Sequence, residues 1–228
     1  MKKLFGVIFA SLISISLSAQ EYTCAQLKDD VKSWNALKNS NNTKWAIAIK
    51  EKGLYKQNAD GSFEYVYIMT TTDSVDIKTL RNIGFNYITY YFNVNNATRA
   101  DLETNSPEDG VIFTGKLPGV GEFAGLGEYN KINANIIFDI RFKPNRIRFS
   151  VKIQDYQVIK TGSYGRLLEN KQVFVNNCFP LNPDSDHKKS YAMAFINSNS
   201  KCLNYSNDFL NYINRNIKQS QPTVTEDW

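Results

Sequence analysis

The sequence lacks most of the residues and motifs on which recognisable enzymes depend. Its 228 residues include one histidine, His187, and three cysteines. It contains no nucleophile elbow of the G-x-S-x-G type, no H-E-x-x-H zinc motif and no closely spaced cysteine pair. We therefore expect a protein that is not an enzyme and that needs neither a metal ion nor a cofactor.

His187 is the residue that most resembles a catalytic or metal-binding group. It lies in a polar loop directly after Asp186 and close to Asp184. The two aspartates have the D-x-D spacing that opens a calcium loop, but the glycine and the closing glutamate of such a loop are missing. We therefore interpret His187 as an exposed loop residue.

A strong excess of charge of one sign is also missing. The formal net charge is +5, and two of the basic residues, Lys2 and Lys3, belong to an N-terminal segment that we expect to be removed. Nucleic-acid-binding domains usually carry a larger and more clustered basic excess. The composition therefore gives no support for a nucleic-acid ligand.

Long apolar runs are confined to the N-terminus. Lys2 and Lys3 precede an apolar stretch over residues 4–17, and small residues follow up to Ala19. This three-part layout is typical of a secretory signal peptide and is too short for a membrane span. We predict a signal peptide over 1–19, a mature protein that is periplasmic or secreted, and no transmembrane segment in the mature chain.

The three cysteines, Cys24, Cys178 and Cys202, are too few for a disulfide framework. Export permits one disulfide bond with one thiol left over. We predict the pair Cys178–Cys202, because both residues lie in the C-terminal third of the chain. Three buried free thiols are the alternative.

Local patterns predict the first elements of secondary structure. Apolar residues at helical spacing after a capping box at Thr23 predict a helix that runs to about Lys38, within the N-terminal division 20–42. Residues 44–50 have the pattern of an extended segment. Residues 63–69 are apolar on both faces, which predicts a strand in the middle of a sheet.

The next segments combine a helix with glycine-rich strands. An apolar stripe predicts a helix over 77–91, in which Gly84 indicates close approach to a sheet. Short strands are predicted over 97–103 and 110–116. The sequence GVGEFAGLG, residues 119–127, has the wrong glycine spacing for a nucleotide loop, and we interpret it as a glycine-rich hairpin connection.

The most regular pattern is IIFDIRFKPNRIRFSVKIQDY, residues 136–156. Apolar and charged residues alternate on both sides of Pro144-Asn145, which predicts strands over 133–143 and 146–158 joined by a tight turn. One face of this hairpin is apolar and the other is basic. The candidate ligand-binding residues on the basic face are Arg141, Arg146, Arg148 and Lys152.

The basic face has two interpretations. In the first, it is a strip that binds an anionic lipid head group, a polysaccharide or an acidic protein surface. Alternatively, it is a solvated face whose basic residues pair across strands with acidic residues, six of which lie between residues 101 and 128. The charge pattern favours the paired, solvated face, since exposed basic residues are the ordinary case.

Together these patterns predict an α+β fold. An antiparallel sheet, in the order strand, helix and four strands, carries helices on one face, and an irregular C-terminal segment contains a late helix. The predicted divisions are the signal peptide 1–19, the N-terminal helix 20–42, the α+β domain 43–162, and an extension 163–228 with a helix over 206–218 and a frayed tail.

The chain also shows a family resemblance in three stretches, residues 63–92, 109–119 and, most strongly, 136–156. There it resembles a family of exported bacterial proteins of unknown function with a TATA-binding-protein-like (TBP-like) fold. The turn Lys-Pro-Asn-Arg departs from the Lys/Asp/Gly turn usual in that family. The resemblance covers about residues 40–160 and implies a curved antiparallel sheet backed by helices, but no activity and no site residues. Shared architecture does not transfer function, so the family name implies no nucleic-acid ligand.

These observations favour a non-enzymatic binding or interaction module of the cell envelope, whose partner is an envelope protein, a lipid or a glycan. Two alternatives remain. One is a hydrolase of envelope carbohydrate or peptide that uses two carboxylates such as Glu122 and Glu128. The other is a structural component of the envelope.

Overall fold

The computed structural model describes residues 42–52, 55–70, 75–92, 105–125 and 127–220. The predicted signal peptide, nearly all of the predicted N-terminal helix, Cys24 and the strand predicted over 97–103 lie outside these ranges. Within them, no helix combines the length and the apolar content needed to cross a membrane.

Helices and strands follow one another in the predicted α+β order. The elements are α1 (Asn42–Lys52), β1 (Lys56–Gln57), β2 (Phe63–Thr70), α2 (Ile77–Phe92), β3 (Gly110–Gly125), β4 (Glu128–Lys143), β5 (Arg146–Thr161), β6 (Leu167–Phe174) and α3 (Lys188–Ser220). From β2 onward this is strand, helix, four strands and a late helix. The predicted fold class, a curved antiparallel sheet with helices, is confirmed.

The sheet is organised around β5, because every neighbour of β5 runs antiparallel to it. β4 pairs with β5 along the whole length of β5. β2 pairs with the first half of β5, and β6 pairs with the second half. β3 pairs with the other side of β4, and β1 pairs with β2. The β4–β5 hairpin turns at Pro144 and Asn145, where Asn145 has a φ of 58°, a conformation that asparagine tolerates well. The predicted hairpin is confirmed.

Side chains of the hairpin alternate between the two faces as predicted. Phe138 of β4 and Phe149 of β5 are fully buried, whereas Arg141 and Arg148 remain partly exposed. The rings of Phe149 and Phe209 of α3 stack with centroids 4.7 Å apart. Burying a phenylalanine in this way stabilises the fold by about 1.5–3 kcal/mol. The helices thus cover the apolar face of the sheet.

Two glycines let helices lie close to the sheet. A Cβ atom at Gly84 of α2 would meet Cζ of Phe142 at 3.0 Å and Cγ2 of Val111 at 3.2 Å. The close approach predicted at Gly84 is therefore confirmed. A Cβ atom at Gly121 of β3 would meet the carbonyl oxygen of Ser190 in α3 at 2.9 Å, so Gly121 has the same role for the long helix.

The interpretation of residues 119–127 as a hairpin connection is wrong. β3 continues through most of this stretch to Gly125, and its register with β4 shifts at residues 118–120. The side-chain amide of Asn197 in α3 donates a hydrogen bond to the carbonyl oxygen of Val120 at 2.8 Å. The glycines therefore lie within a strand, where they allow a bulge and the close packing of a helix.

The extended segment predicted over 44–50 is also wrong, because these residues belong to α1. Trp45, Ala46 and Ile49 are buried, whereas Ile47 is exposed. Ala46 and Trp45 lie three and four positions before Ile49, so the three buried side chains share one helical face. α1 packs against α3.

The last third of the chain joins the same core. The helix predicted over 206–218 is part of the longer α3, which starts at Lys188. β6 extends the sheet beside β5, and buried residues of α3 belong to one cluster with those of the sheet. Residues after position 162 therefore share the hydrophobic core of the α+β domain.

The predicted disulfide between Cys178 and Cys202 is wrong, since both residues are free, buried thiols. The Cys178 thiol donates to the carbonyl oxygen of Phe174 at 3.5 Å. Burial raises the pKa of Cys178 to about 12 and also raises the pKa of Cys202, because a buried thiolate loses its hydration. Both residues act as small apolar side chains of the core.

Candidate functional site

The sheet has one face that no described helix covers, which we call the open face. It carries Glu64 of β2, Asp139 and Arg141 of β4, and Arg148 and Lys152 of β5. The outward residues predicted from the alternation of the β4–β5 hairpin therefore lie on this face. Two clefts indent the open face, one at the turn of the β4–β5 hairpin and one beside the middle of these two strands, where β6 joins the sheet.

The first is the basic cleft, with a volume of about 420 Å³. It lies at the turn of the β4–β5 hairpin and is lined by Ile68, Asp109, Arg141, Lys143, Arg146 and Arg148. The structure thus brings together three of the four predicted ligand-binding residues. The fourth, Lys152, lies further along β5, where its Nζ atom contacts Oδ2 of Asp60 at 2.6 Å.

Ion pairs hold two of the arginines of the basic cleft in place. Nε of Arg141 lies 2.6 Å from Oδ1 of Asp139, and its NH1 lies 3.3 Å from Oδ1 of Asp109. Hydrogen bonding to Asp139 raises the pKa of the Arg141 guanidinium. Arg148 contacts Glu64 at 3.0 Å and Asp139 at 3.6 Å. The expected pairing across strands is present, but only Asp109 among these partners lies between residues 101 and 128.

The register of the hairpin places like charges opposite each other. Arg141 faces Arg148 directly, and Lys143 faces Arg146 directly. Like charges in this position destabilise a sheet by a few tenths of a kcal/mol, up to about 1 kcal/mol. Asp139 compensates the first pair. Lys143 and Arg146 are both exposed at the end of the hairpin.

Sequence reasoning missed the second cleft, which we call the amide cleft. It has a volume of about 510 Å³ and is lined by five amide side chains together with Thr114, Lys116 and Asp155. The amides are Asn135, Gln154, Gln157, Asn170 and Gln172. They come from three strands and have no common sequence spacing. Only the strand register brings them together.

The carboxylates and the histidine considered for catalysis do not form a site. Glu122 lies opposite Lys131 of β4 and points to the open face. Glu128 points to the other face, where it contacts Lys160 at 2.6 Å. Glu122 instead accepts a hydrogen bond from the Tyr129 hydroxyl at 2.6 Å. The ring of His187 stacks on Phe123 with centroids 4.3 Å apart. Among the described residues, no group of three or more His, Cys, Asp or Glu side chains has the geometry to hold a metal ion.

Comparisons with known proteins add a distant likeness. No family model and no curated protein matches the chain. Among solved structures, a TBP-like protein from Parabacteroides distasonis ATCC 8503 is similar, with a TM-score of 0.43 and 9% identity, over 70% of this chain and 96% of that chain. It is described by the same term, TBP-like, as the family that the sequence resembles. A likeness this distant carries no argument about membership, ligand or site.

Proposed function

We propose that this chain is an exported, non-enzymatic binding module of the cell envelope that holds an anionic group of its partner in the basic cleft. The observation that carries the proposal is the pairing of Lys143 with Arg146 at the exposed end of the hairpin. A phosphate or carboxylate bound beside these two side chains would gain charge-assisted hydrogen bonds from both.

The neighbouring arginines support this role. Asp139 and Asp109 fix Arg141, and Glu64 and Asp139 fix Arg148, so both guanidinium groups are held before a ligand arrives. Side chains that are already ordered lose less conformational entropy on binding. Ile68 adds an apolar surface to the same cleft, as ligand sites usually combine a few polar groups with apolar area.

Binding to three probes tests the proposal and distinguishes the sources of the anion. The mature protein is titrated with inorganic phosphate, with phosphatidylcholine vesicles containing phosphatidylglycerol, and with polygalacturonate, each at low and at high salt. We expect at least one probe to bind, with affinity that falls as salt rises because the interaction is largely electrostatic. The probe that binds most tightly identifies phosphate, lipid or acidic glycan as the source.

Two double variants locate the binding site. Lys143→Ala with Arg146→Ala is expected to weaken binding by about tenfold or more. The matched control, Arg166→Ala with Lys171→Ala, removes the same charge from exposed positions outside the basic cleft. Equal losses in both double variants would indicate a general charge effect and would overturn the assignment of the cleft, as would the absence of binding to all three probes.

A further inference from the structure

The amide cleft is built around an irregularity in β5. Ile136 pairs with Ile153 and Asn135 pairs with Asp155, so Gln154 is an extra residue between two ladder positions. Without this bulge, strict alternation would turn Asp155 toward the core. With it, Gln154 and Asp155 both line the cleft on the open face. Bulges that redirect side chains are frequent beside functional sites.

Hydrogen bonds hold several side chains of the amide cleft in two groups. Gln157 accepts from Nζ of Lys116 at 3.1 Å, and its own amide group donates to Oδ1 of Asn170 at 2.9 Å. The side chain of Asn135 donates to Asp155. Gln172 lies directly opposite Gln157 on β6. Three of the five amide groups, those of Asn135, Gln157 and Asn170, are therefore held by hydrogen bonds to neighbouring side chains.

The chemistry of the lining indicates an uncharged, hydroxyl-rich ligand. Each amide side chain offers donors and an acceptor, as each sugar hydroxyl does. The formal charges of Lys116 and Asp155, the two charged residues of the lining, cancel. Phosphate or nucleic-acid ligands favour a clear excess of Lys and Arg, which this cleft does not have.

An exposed aromatic ring lies beside the cleft. Phe174 is 54% exposed and is the direct partner of Asp155 across the β5–β6 pair, so it belongs to the same face of the sheet. A phenylalanine ring offers a flat apolar surface with a partly negative face. The C–H face of a pyranose ring fits such a surface while its hydroxyls reach the amides.

We infer that the amide cleft, with Phe174 at its border, binds a neutral oligosaccharide chain. The inference goes beyond the proposed function, because it concerns a different cleft and a ligand without charge. Asn135 and Arg141 are six positions apart on β4, a distance of about 20 Å at the usual rise of a strand. The two clefts therefore have separate tests.

The test uses the mature protein and a panel of neutral oligosaccharides of glucose, mannose, xylose and N-acetylglucosamine. NMR spectra of the ¹⁵N-labelled protein report directly on the side-chain amide groups of asparagine and glutamine. We expect at least one oligosaccharide to shift the side-chain signals of Gln154, Gln157 and Gln172, and to do so equally at low and high salt. Calorimetry gives the affinity.

Variants on β6 locate the binding site. Gln172→Ala and Phe174→Ala are each expected to weaken oligosaccharide binding by about tenfold. The matched control is Lys171→Ala, an exposed neighbour in the same strand that faces the other side of the sheet. Gln154→Ala, at the bulge, provides a second test if either variant folds poorly by circular dichroism.

Three results would overturn the inference. The first is that no oligosaccharide of the panel binds. The second is that binding occurs but is equal in Gln172→Ala, Phe174→Ala and Lys171→Ala. The third is that an oligonucleotide or an extended peptide, tested in parallel, shifts the same amide signals while the oligosaccharides do not. The double variant Lys143→Ala with Arg146→Ala is expected to lose anion binding and to keep oligosaccharide binding. Failure of one proposal can therefore be distinguished from failure of the other.

Discussion

Arg141 and Arg148 lie directly opposite each other on β4 and β5, and both guanidinium groups contact the carboxylate of Asp139. One carboxylate therefore stands between two positive charges that would otherwise repel each other. The two arginines of the basic cleft stay at close range because Asp139, on the same face of β4, contacts both.

Replacement of this carboxylate should destabilise the hairpin. We expect Asp139→Asn to lower the free energy of unfolding by about 1 kcal/mol at low salt, because two partly exposed ion pairs are lost and the arginine pair is left to repel. The loss should shrink at high salt, where the repulsion is screened. Urea unfolding at two salt concentrations measures both effects. Glu128→Gln, which removes one ion pair to Lys160 without exposing a like-charge pair, should cost less.

A methyl group at Gly121 should disturb the contact between β3 and α3. A Cβ atom there would meet Ser190 O at 2.9 Å and Cβ of Ala194 at 3.0 Å, so Gly121→Ala is expected to cost about 1–3 kcal/mol through overpacking. Gly125→Ala is the control in the same strand, since its Cβ atom would meet nothing within 4 Å. Thermal unfolding compares the two. Equal stability of both variants would show that α3 does not lie against Gly121.

The Asp60 carboxylate should make stability depend on acid pH. Hydrogen bonds from the side chain of Lys152 and from Ser62 hold its pKa well below the usual range. The stabilisation is therefore complete above about pH 4, the ordinary pKa of an unfolded aspartate, and is lost as the pH falls below it. Asp60→Asn should be less stable at neutral pH and should lose less stability between neutral and acid pH. Unfolding curves across that range measure the difference. An Asp60→Asn protein whose stability falls with acid pH as steeply as that of the wild-type protein would contradict this prediction.

The two buried thiols should resist alkylation in the folded protein. Burial raises the pKa of Cys178 to about 12, and only a thiolate reacts rapidly with iodoacetamide. We expect Cys178 and Cys202 to stay unmodified under native conditions and to react in denaturant without any reductant. Peptide mass spectrometry gives the modified fraction at each position. A requirement for reductant would show that a disulfide forms after all.

The sequence was most informative where side-chain alternation and turn chemistry agree. The β4–β5 hairpin needs only the alternation of residues 136–156 and a two-residue turn at Pro144-Asn145, both of which are local. The basic face follows from the same alternation. The partners Glu64 and Asp60 were not predictable, because they lie on segments that reach β5 only through the folded sheet.

The errors arose where distant contacts decide between two local patterns. Trp45 and Ile49 fit either a short strand or a helix, and packing against α3 selects the helix. The glycine-rich composition of residues 119–127 is typical of a loop. Only the packing of α3 against Gly121 explains why glycine occurs here inside a strand. The amide cleft depends on the bulge at Gln154. In the sequence this bulge shows only as a change of phase, because the buried apolar residues up to Ile153 fall on odd positions and the next ones, Tyr156 and Val158, fall on even positions.

The pairing of β2 with β5 determines the order in which the sheet can assemble. β3 to β6 form a meander in which each strand meets the preceding one as soon as both are made. β2 instead waits for β5, and the contact of Glu64 with Arg148 spans 84 residues. Until then only the two residues of β1 pair with β2, since closing a long loop is slow. The risk of misassembly during folding is therefore concentrated in β2.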